Sequence, residues 1–402
     1  MRRTLVPLLI GALVVATASP AWGRAHWKRR VDRLVRGHSM GVSVSEAGES
    51  LYRWDARQKR PPASVEKLLL SMALLDHFPD RMRIATSAAA GRVVRGSVVD
   101  GNVYLLGRGD PTISGGGRFG RSLPFRPARL ALLARRIKQA GITRIRGRII
   151  GSTGYFAHDW WAPGWRSHFP AEQVALPSAL TYNGNVHKGR HIPRPELLAA
   201  RSLTKKLEAI GVAVARRADS GPSPGGLDTI ARITSQPLPV LLRYMNRQSS
   251  NFFAEVLGKG LAAARTGLRG TISRAARSIE RFASGRGVRL TAHDSSGLSY
   301  YNRVSPQGVT RLLTKVERMP YGPLLRQTLP RPGMGTLKDR LKSVRVRAKT
   351  GTLSGISALA GWVWLRRRSS WAEFAILSRG MPKSTAVSIE DRIVRLVTRY
   401  AR

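Results

Sequence analysis

The stretch that most constrains this chain is Pro61-Pro62-Ala63-Ser64-Val65-Glu66-Lys67-Leu68-Leu69-Leu70. Two prolines restrict the backbone, a serine follows, and an apolar run begins at once. Leu68, Leu69, Met72, Leu75 and Phe78 recur at helical spacing, which predicts a helix over 64–78 with much of its circumference buried and Pro79 ending it. Ser64 then stands at the helix start, and Lys67, three residues on, shares its face. An amine within reach of a hydroxyl, at the electropositive end of a helix, is an arrangement suited to a nucleophile in acyl transfer. Helix capping alone would also account for a serine there, so the remaining chain has to decide.

Charge narrows the setting. The 402 residues carry 69 Lys+Arg against 23 Asp+Glu, a net charge of +46, while 42% hydrophobic residues mark a globular chain. Such an excess repels itself and implies an anionic partner or surroundings: nucleic acid, anionic lipid or an acidic wall polymer. The N-terminus selects among these. Met1-Arg2-Arg3, the apolar Leu5 to Ala18 and the small residues around Ala21 and Gly23 form a secretory signal peptide pattern, 1–23, with cleavage expected after Gly23. The apolar stretch is short for a membrane span, which needs about 20 residues, and an uncleaved anchor is the alternative. An exported protein, periplasmic or secreted, has little access to nucleic acid, so no nucleic-acid partner is expected and an anionic envelope surface is. Cysteine is absent, which removes thiol nucleophiles and thiolate metal sites. The histidines, His158 beside Asp159 included, show no metal-ligand spacing, so neither metal nor cofactor is expected.

In order along the chain, 25–36 reads as a short basic helix. Met40 to Glu46 and Leu51 to Trp54 alternate as a hairpin leading into the serine loop. From 80 to 235 the texture shifts to short strands and turns, with strands expected at 92–95, 97–99, 103–106 and 148–150 and helices at 130–140 and 202–211. From 236 long helical patterns return, at 237–246, 252–264, 269–282 and 305–316. A terminal hairpin is expected from Val344 to Leu365 with Lys349-Thr350-Gly351 at its turn, then a strand at 372–377 and a helix at 389–400. The domain reading is therefore a split α/β (α+β) domain, 24–79 with 236–402, interrupted by inserted mixed subdomains at 80–235.

Three motifs occur in one order: Ser64-x-x-Lys67, Ser249-x-Asn251 ahead of a helix, and Lys349-Thr350-Gly351 in a strand-like setting. Each alone is weak. Ser202-Leu203-Thr204-Lys205 repeats the first and reads as an ordinary helix start, and capping or turn formation would explain the other two. Together they resemble the S-x-x-K, S-x-N and K-T-G set of penicillin-recognising serine enzymes, and that resemblance implies separate roles. Ser64 attacks a carbonyl; Lys67 takes its proton; Ser249 relays a proton toward a leaving amine; Asn251 holds Lys67 and bonds a substrate amide. Lys349 and Thr350 meet a substrate carboxylate, Gly351 lets substrate lie along the strand edge, and the backbone N–H groups of Ser64 and Thr352 form an oxyanion hole. Arg108-Gly109-Asp110 and Ser114-Gly115-Gly116-Gly117 match adhesion and phosphate-loop patterns only superficially.

This set, with Leu105 to Pro111, Ala162-Pro163-Gly164-Trp165, Met245 to Glu255, Asp294 to Pro306 and Arg345 to Gly361, resembles the D-alanyl-D-alanine carboxypeptidase/endopeptidase family, the class C low-molecular-mass penicillin-binding proteins. The resemblance spans most of the mature chain. It implies a transpeptidase domain of the penicillin-binding-protein and serine β-lactamase type, a trimmed insertion between the first two motifs, peptidoglycan stem peptides as substrate, and β-lactams as covalent inhibitors. Two departures stand out: Gly151-Ser152-Thr153-Gly154-Tyr155-Phe156 lacks the acidic residue the family commonly has before Phe156, and Glu66 sits inside the first motif, where it is expected to face away from the cleft with little effect. A serine β-lactamase, a non-catalytic peptidoglycan-binding protein on the same fold and a nucleic-acid binder are the rival readings.

Overall fold

The computed structural model describes residues 21–401 apart from 92, 95 and 96. The apolar stretch Leu5 to Ala18, and with it most of the expected signal peptide, lies outside these residues. The main body is built on a five-stranded antiparallel sheet in the order Val346–Leu353, Ile356–Leu365, Ser370–Arg379, Met40–Glu46, Glu49–Trp54. Strands from both ends of the chain thus share one sheet, because Val42 pairs with Ile376 across more than three hundred residues.

Alternation along Ile356–Leu365, second in that order, separates two cores. Leu359, Val363 and Leu365 pack with Trp27, Val31, Ile393 and Val397 from the leading helix Ala21–Val35 and the closing helix Lys383–Tyr400. Ala358, Ala360 and Trp362 face the other way, against Leu68, Leu69 and Met72 of the helix Glu66–His77 and Leu257 and Leu261 of Asn251–Thr266. The Ser64 region therefore lies on one side of the sheet and the two terminal helices on the other.

Between these halves, a second five-stranded sheet runs Asp219–Gly221, Ile149–Ser152, Val103–Leu106, Ala85–Ala90, Asp228–Thr234, with Leu130–Gln139 and Pro195–Glu208 packed on it. Ala85–Ala90 and Asp228–Thr234 are antiparallel neighbours, so the chain leaves the main body and returns at adjacent points. A smaller four-stranded sheet, Ala213–Val214, Arg144–Ile145, Val98–Val99, Val93–Val94, lies alongside in the chain.

Several local expectations shift. Lys349-Thr350-Gly351 is not a hairpin turn; it lies inside the strand Val346–Leu353, and the chain reverses at Ser354-Gly355 instead. Glycine and threonine in that motif signalled a turn locally, but eight consecutive cross-strand pairs to Ile356–Leu365 hold it extended. Ser202 to Lys205 is interior to Pro195–Glu208, whose start lies seven residues earlier at a proline in the first turn. The leading helix begins at Ala21, four residues before the expected 25, so cleavage after Gly23 would remove its first residues.

Candidate active site

Ser64 enters through a single 3-10 turn, Ala63–Val65, which leads directly into Glu66–His77. Ala63 is held at φ +45, left-handed and fully buried, a strained setting for a residue with a side chain. Two glycines fix the turn. A side-chain carbon at Gly351 would stand 2.6 Å from the Pro62 carbonyl oxygen and 3.0 Å from Ser64 N, and one at Gly297 (φ +81) 1.9 Å from the Ala63 carbonyl oxygen. The space spared at Gly351 is thus filled by the serine turn itself, and the expected room for substrate there is not what the glycine supplies.

Lys67 is fully buried, and its Nζ reaches Ser64 Oγ at 2.9 Å, Asn251 Oδ1 at 2.8 Å and the Ser296 carbonyl at 2.6 Å. Burial lowers its pKa from 10.5 to about 7, although Asp294, Glu255 and Glu66 pull the other way. As a free amine it has two N–H donors and one lone pair. The two donors are accounted for by Asn251 and Ser296, which leaves the lone pair for the Ser64 hydroxyl.

The second motif is divided between two jobs. Ser250 caps the helix Asn251–Thr266, accepting from Phe253 N at 3.3 Å. Ser249 ends the preceding helix, Leu238–Gln248, in a left-handed conformation (φ +52), and its Oγ accepts from Lys349 Nζ at 2.9 Å. Its hydrogen-bond partner is thus Lys349, not Lys67. Asn251 turns its Oδ1 to Lys67, as expected, while its Nδ2 donates to the Gln173 carbonyl at 3.0 Å. The amide N–H expected for substrate is bonded to the inserted region.

Lys349 is also fully buried; its Nζ donates to Ser249 and to the Thr350 carbonyl at 2.7 Å. Burial, then the nearby Lys67, pushes its pKa well below the ordinary lysine value. The strand that carries it is the edge of the main sheet. Ala348 N bonds the Pro330 carbonyl off that edge at 3.1 Å, so the period of two points the backbone N–H groups of Thr350 and Thr352 to the same open side. Thr350 is half-buried and Thr352 exposed. Ser64, Lys67, Ser249, Asn251, Lys349, Thr350, Gly351 and Thr352 therefore meet in one cleft.

Behind them lies a support that the motifs did not reveal. The Asp294 carboxylate, fully buried, accepts from Trp165 Nε1 at 2.7 Å, Gly297 N at 2.9 Å, Ser299 N at 2.7 Å, Asn302 Nδ2 at 2.7 Å and Ser296 Oγ at 3.3 Å. It shapes the turn whose Ser296 carbonyl holds Lys67. Glu255 Oε1 takes Ser295 N at 3.0 Å and Ser296 N at 2.7 Å from the other side. Asp-Ser-Ser-Gly is a turn signature in which an aspartate bonds backbone two residues on; its service to a lysine 227 positions away is set only by the fold. Glu66, expected to have little effect, is buried, and its Oε1 has no hydrogen-bond partner among the described residues. Burial, with Asp294, Glu255 and Glu280 nearby, raises its pKa well above the ordinary glutamate value.

Beyond the cleft, Asp159 follows the Phe156 at which the family's preceding acidic residue is missing. Its carboxylate takes the buried Lys259 Nζ at 2.6 Å and Ile272 N at 2.7 Å, tying the inserted region to two helices of the main body. This aspartate joins the two parts of the chain and lies outside the cleft cluster.

The profile of the D-Ala-D-Ala carboxypeptidase 3 (S13) family matches residues 29–190 and 183–400. The chain is 26% identical to D-alanyl-D-alanine carboxypeptidase of Actinomadura sp. (strain R39), over 92% of this chain and 83% of that one. It is 29% identical to carboxypeptidase DacB of Mycolicibacterium smegmatis, over 96% and 84% of the respective chains. Among solved structures, penicillin binding protein 4 (dacB) from Haemophilus influenzae shares the fold, with a TM-score of 0.78 at 19% identity over 92% of this chain and 99% of that one. The family profile runs through the split sheet and the inserted region alike, and the chain belongs to the D-Ala-D-Ala carboxypeptidase 3 (S13) family.

Proposed function

We propose that this protein is a serine DD-peptidase that cleaves D-Ala-D-Ala ends, or D-Ala-diaminopimelate crosslinks, of peptidoglycan stem peptides through an acyl-enzyme on Ser64. The contact that carries this reading is Lys67 Nζ, buried and with its pKa brought down to about 7, at 2.9 Å from Ser64 Oγ. Ser64 Oγ bonds to the penultimate D-Ala carbonyl carbon while its proton passes to Lys67. The developing oxyanion meets the N–H groups of Ser64 and Thr352. The C–N bond then breaks, the leaving amine takes a proton from Lys67, by way of Ser249 in this reading, and D-alanine departs. Water then attacks the ester carbonyl carbon and gives a proton to Lys67, the bond from that carbon to Ser64 Oγ breaks, Ser64 takes the proton back, and the shortened peptide leaves as its acid. The substrate carboxylate is met by the Thr350 hydroxyl at the open strand edge, with the buried Lys349 as the charge behind it. A β-lactam enters the same first step, its ring nitrogen in place of the leaving amine.

Two further parts of the reading rest on sequence and sheet order. Residues 24–79 with 236–402 form the catalytic domain and 80–235 the insertion. The signal pattern at 1–23 sends the protein to the periplasm or beyond, where its large positive charge, +46 over all 402 residues, attaches it to an anionic envelope surface. Attachment of this kind weakens as salt rises, and retention on envelope material in high salt would contradict it. Hydrolysis of β-lactams as the main activity is disfavoured by the large insertion and by the absence of an evident extra glutamate base; a purely binding role is disfavoured by the complete set of reactive groups.

The test is release of D-alanine from a pentapeptide ending in D-Ala-D-Ala, followed against pH. Because Lys67 acts as a free amine and its pKa is lowered, the rate should rise with pH through about 7 and level off above it. No release at any pH, or a rate falling through that range, would contradict the assignment of Lys67 as base.

A further inference from the structure

On the side of the sheet away from the cleft, the leading and closing helices enclose a groove of about 410 Å³ lined by Arg30, Arg33, Arg392, Arg395 and Arg399 over Leu34, Leu396 and Tyr400. Arg30 and Arg33 lie one turn apart on Ala21–Val35, and Arg392, Arg395 and Arg399 follow one face of Lys383–Tyr400. Arg33, Arg392, Arg395 and Arg399 are exposed and Arg30 is half-buried. Among the described residues, the only carboxylate within 4.0 Å of any of them is Asp391, at 3.9 Å from Arg395, and that group also pairs with Arg340 at 2.7 Å. Arg30 and Arg399 both lie over the Tyr400 ring, at 5.7 Å and 5.2 Å.

Like charges gathered in one groove repel and cost stability unless an anion enters. Arginine forks match phosphate oxygens in pairs. An apolar floor with a tyrosine under a cationic rim suits a group that is charged at one end and apolar at the other. The position agrees. The apolar Leu5 to Ala18 ends three residues before the leading helix begins at Ala21, and Arg30 follows about 14 Å further along that helix. All lining residues lie beyond Gly23, so the groove survives cleavage there.

We propose that this groove is a binding site for the phosphate headgroup of an anionic phospholipid, which seats the catalytic domain on the membrane with its cleft turned away from the lipid. The proposal rests on the envelope-attachment reading above and localises it: five arginines in one groove, not the diffuse charge of the surface, carry lipid binding.

The test is sedimentation of the exported, purified protein with vesicles of phosphatidylcholine containing phosphatidylglycerol, at low salt. The parent is compared with Arg33→Gln/Arg392→Gln and with a control that removes the same charge from exposed arginines of the inserted region, Arg201→Gln/Arg216→Gln. Neutralising two groove arginines should weaken vesicle binding about thirtyfold, and the control about twofold or less. Equal losses in the two variants would overturn the groove while leaving diffuse attachment intact. No binding of the parent would overturn the attachment reading itself, and with it the proposal. Undiminished vesicle binding by the groove variant, or a loss seen only on isolated wall polymer, would overturn the lipid assignment. Penicillin labelling of both variants at the parent's rate checks that they are folded.

Discussion

Replacing Lys67 with alanine should slow acylation of Ser64 by about a thousandfold, the middle of the range for removing a general base from a positioned nucleophile. The size follows from what surrounds the amine. At 2.9 Å it is the amine in contact with Ser64 Oγ, and among the described residues no carboxylate is hydrogen-bonded to that hydroxyl: Glu255 Oε1 takes two backbone N–H groups and both Asp294 oxygens are bonded. The alanine variant also leaves Asn251 Oδ1 and the Ser296 carbonyl without their donor, so some loss of thermal stability accompanies the kinetic defect. Stopped-flow acylation by a chromogenic cephalosporin, scaled to the folded fraction, separates the two. A variant that still acylates within about tenfold of the parent would show that another group takes the proton.

Asp294→Ala should be the most damaging change outside the reacting groups. It strips the acceptor from Trp165, Gly297, Ser299, Asn302 and Ser296 in a buried site. Removing one side of such a charged cluster costs about 3 kcal/mol or more. The effect reaches the chemistry through geometry: the Ser296 carbonyl would no longer be held under Lys67, and Gly297 would no longer be held against Ala63. Denaturant unfolding is expected to show the loss in stability, and labelling by penicillin should fall even at temperatures where the variant remains folded. A stability change under about 1 kcal/mol would contradict the account of this turn as a clamp.

The site was legible in the sequence to the extent that its parts are local. Ser64 and Lys67 are one helical turn apart, and Ser249 and Asn251 two residues apart, so spacing alone brings each pair together. Their order along the chain supplied what no single motif could, since Ser202 to Lys205 shows the first pattern arising inside an unrelated helix. What stayed hidden depends on long-range pairing. Lys349-Thr350-Gly351 has turn-forming residues, and only its ladder to Ile356–Leu365 makes it a strand. Ala85–Ala90 is weak in strand formers and becomes a strand through Asp228–Thr234 and Val103–Leu106 on either side. The clamp at Asp294, the Gln173 carbonyl on Asn251 and the burial of Glu66 each join segments far apart in the chain. The role expected of Gly351 failed for a related reason: a missing side chain can be read from sequence, but the atoms filling its place cannot.

The central claim is that Ser64 forms the acyl-enzyme, and the most direct measurement is mass analysis of the protein after incubation with a penicillin, with the adduct mapped to a peptide. The account predicts one adduct of the drug's mass on the peptide containing Ser64, absent in Ser64→Ala under the same conditions. An unlabelled parent, or an adduct that persists in Ser64→Ala, would contradict it.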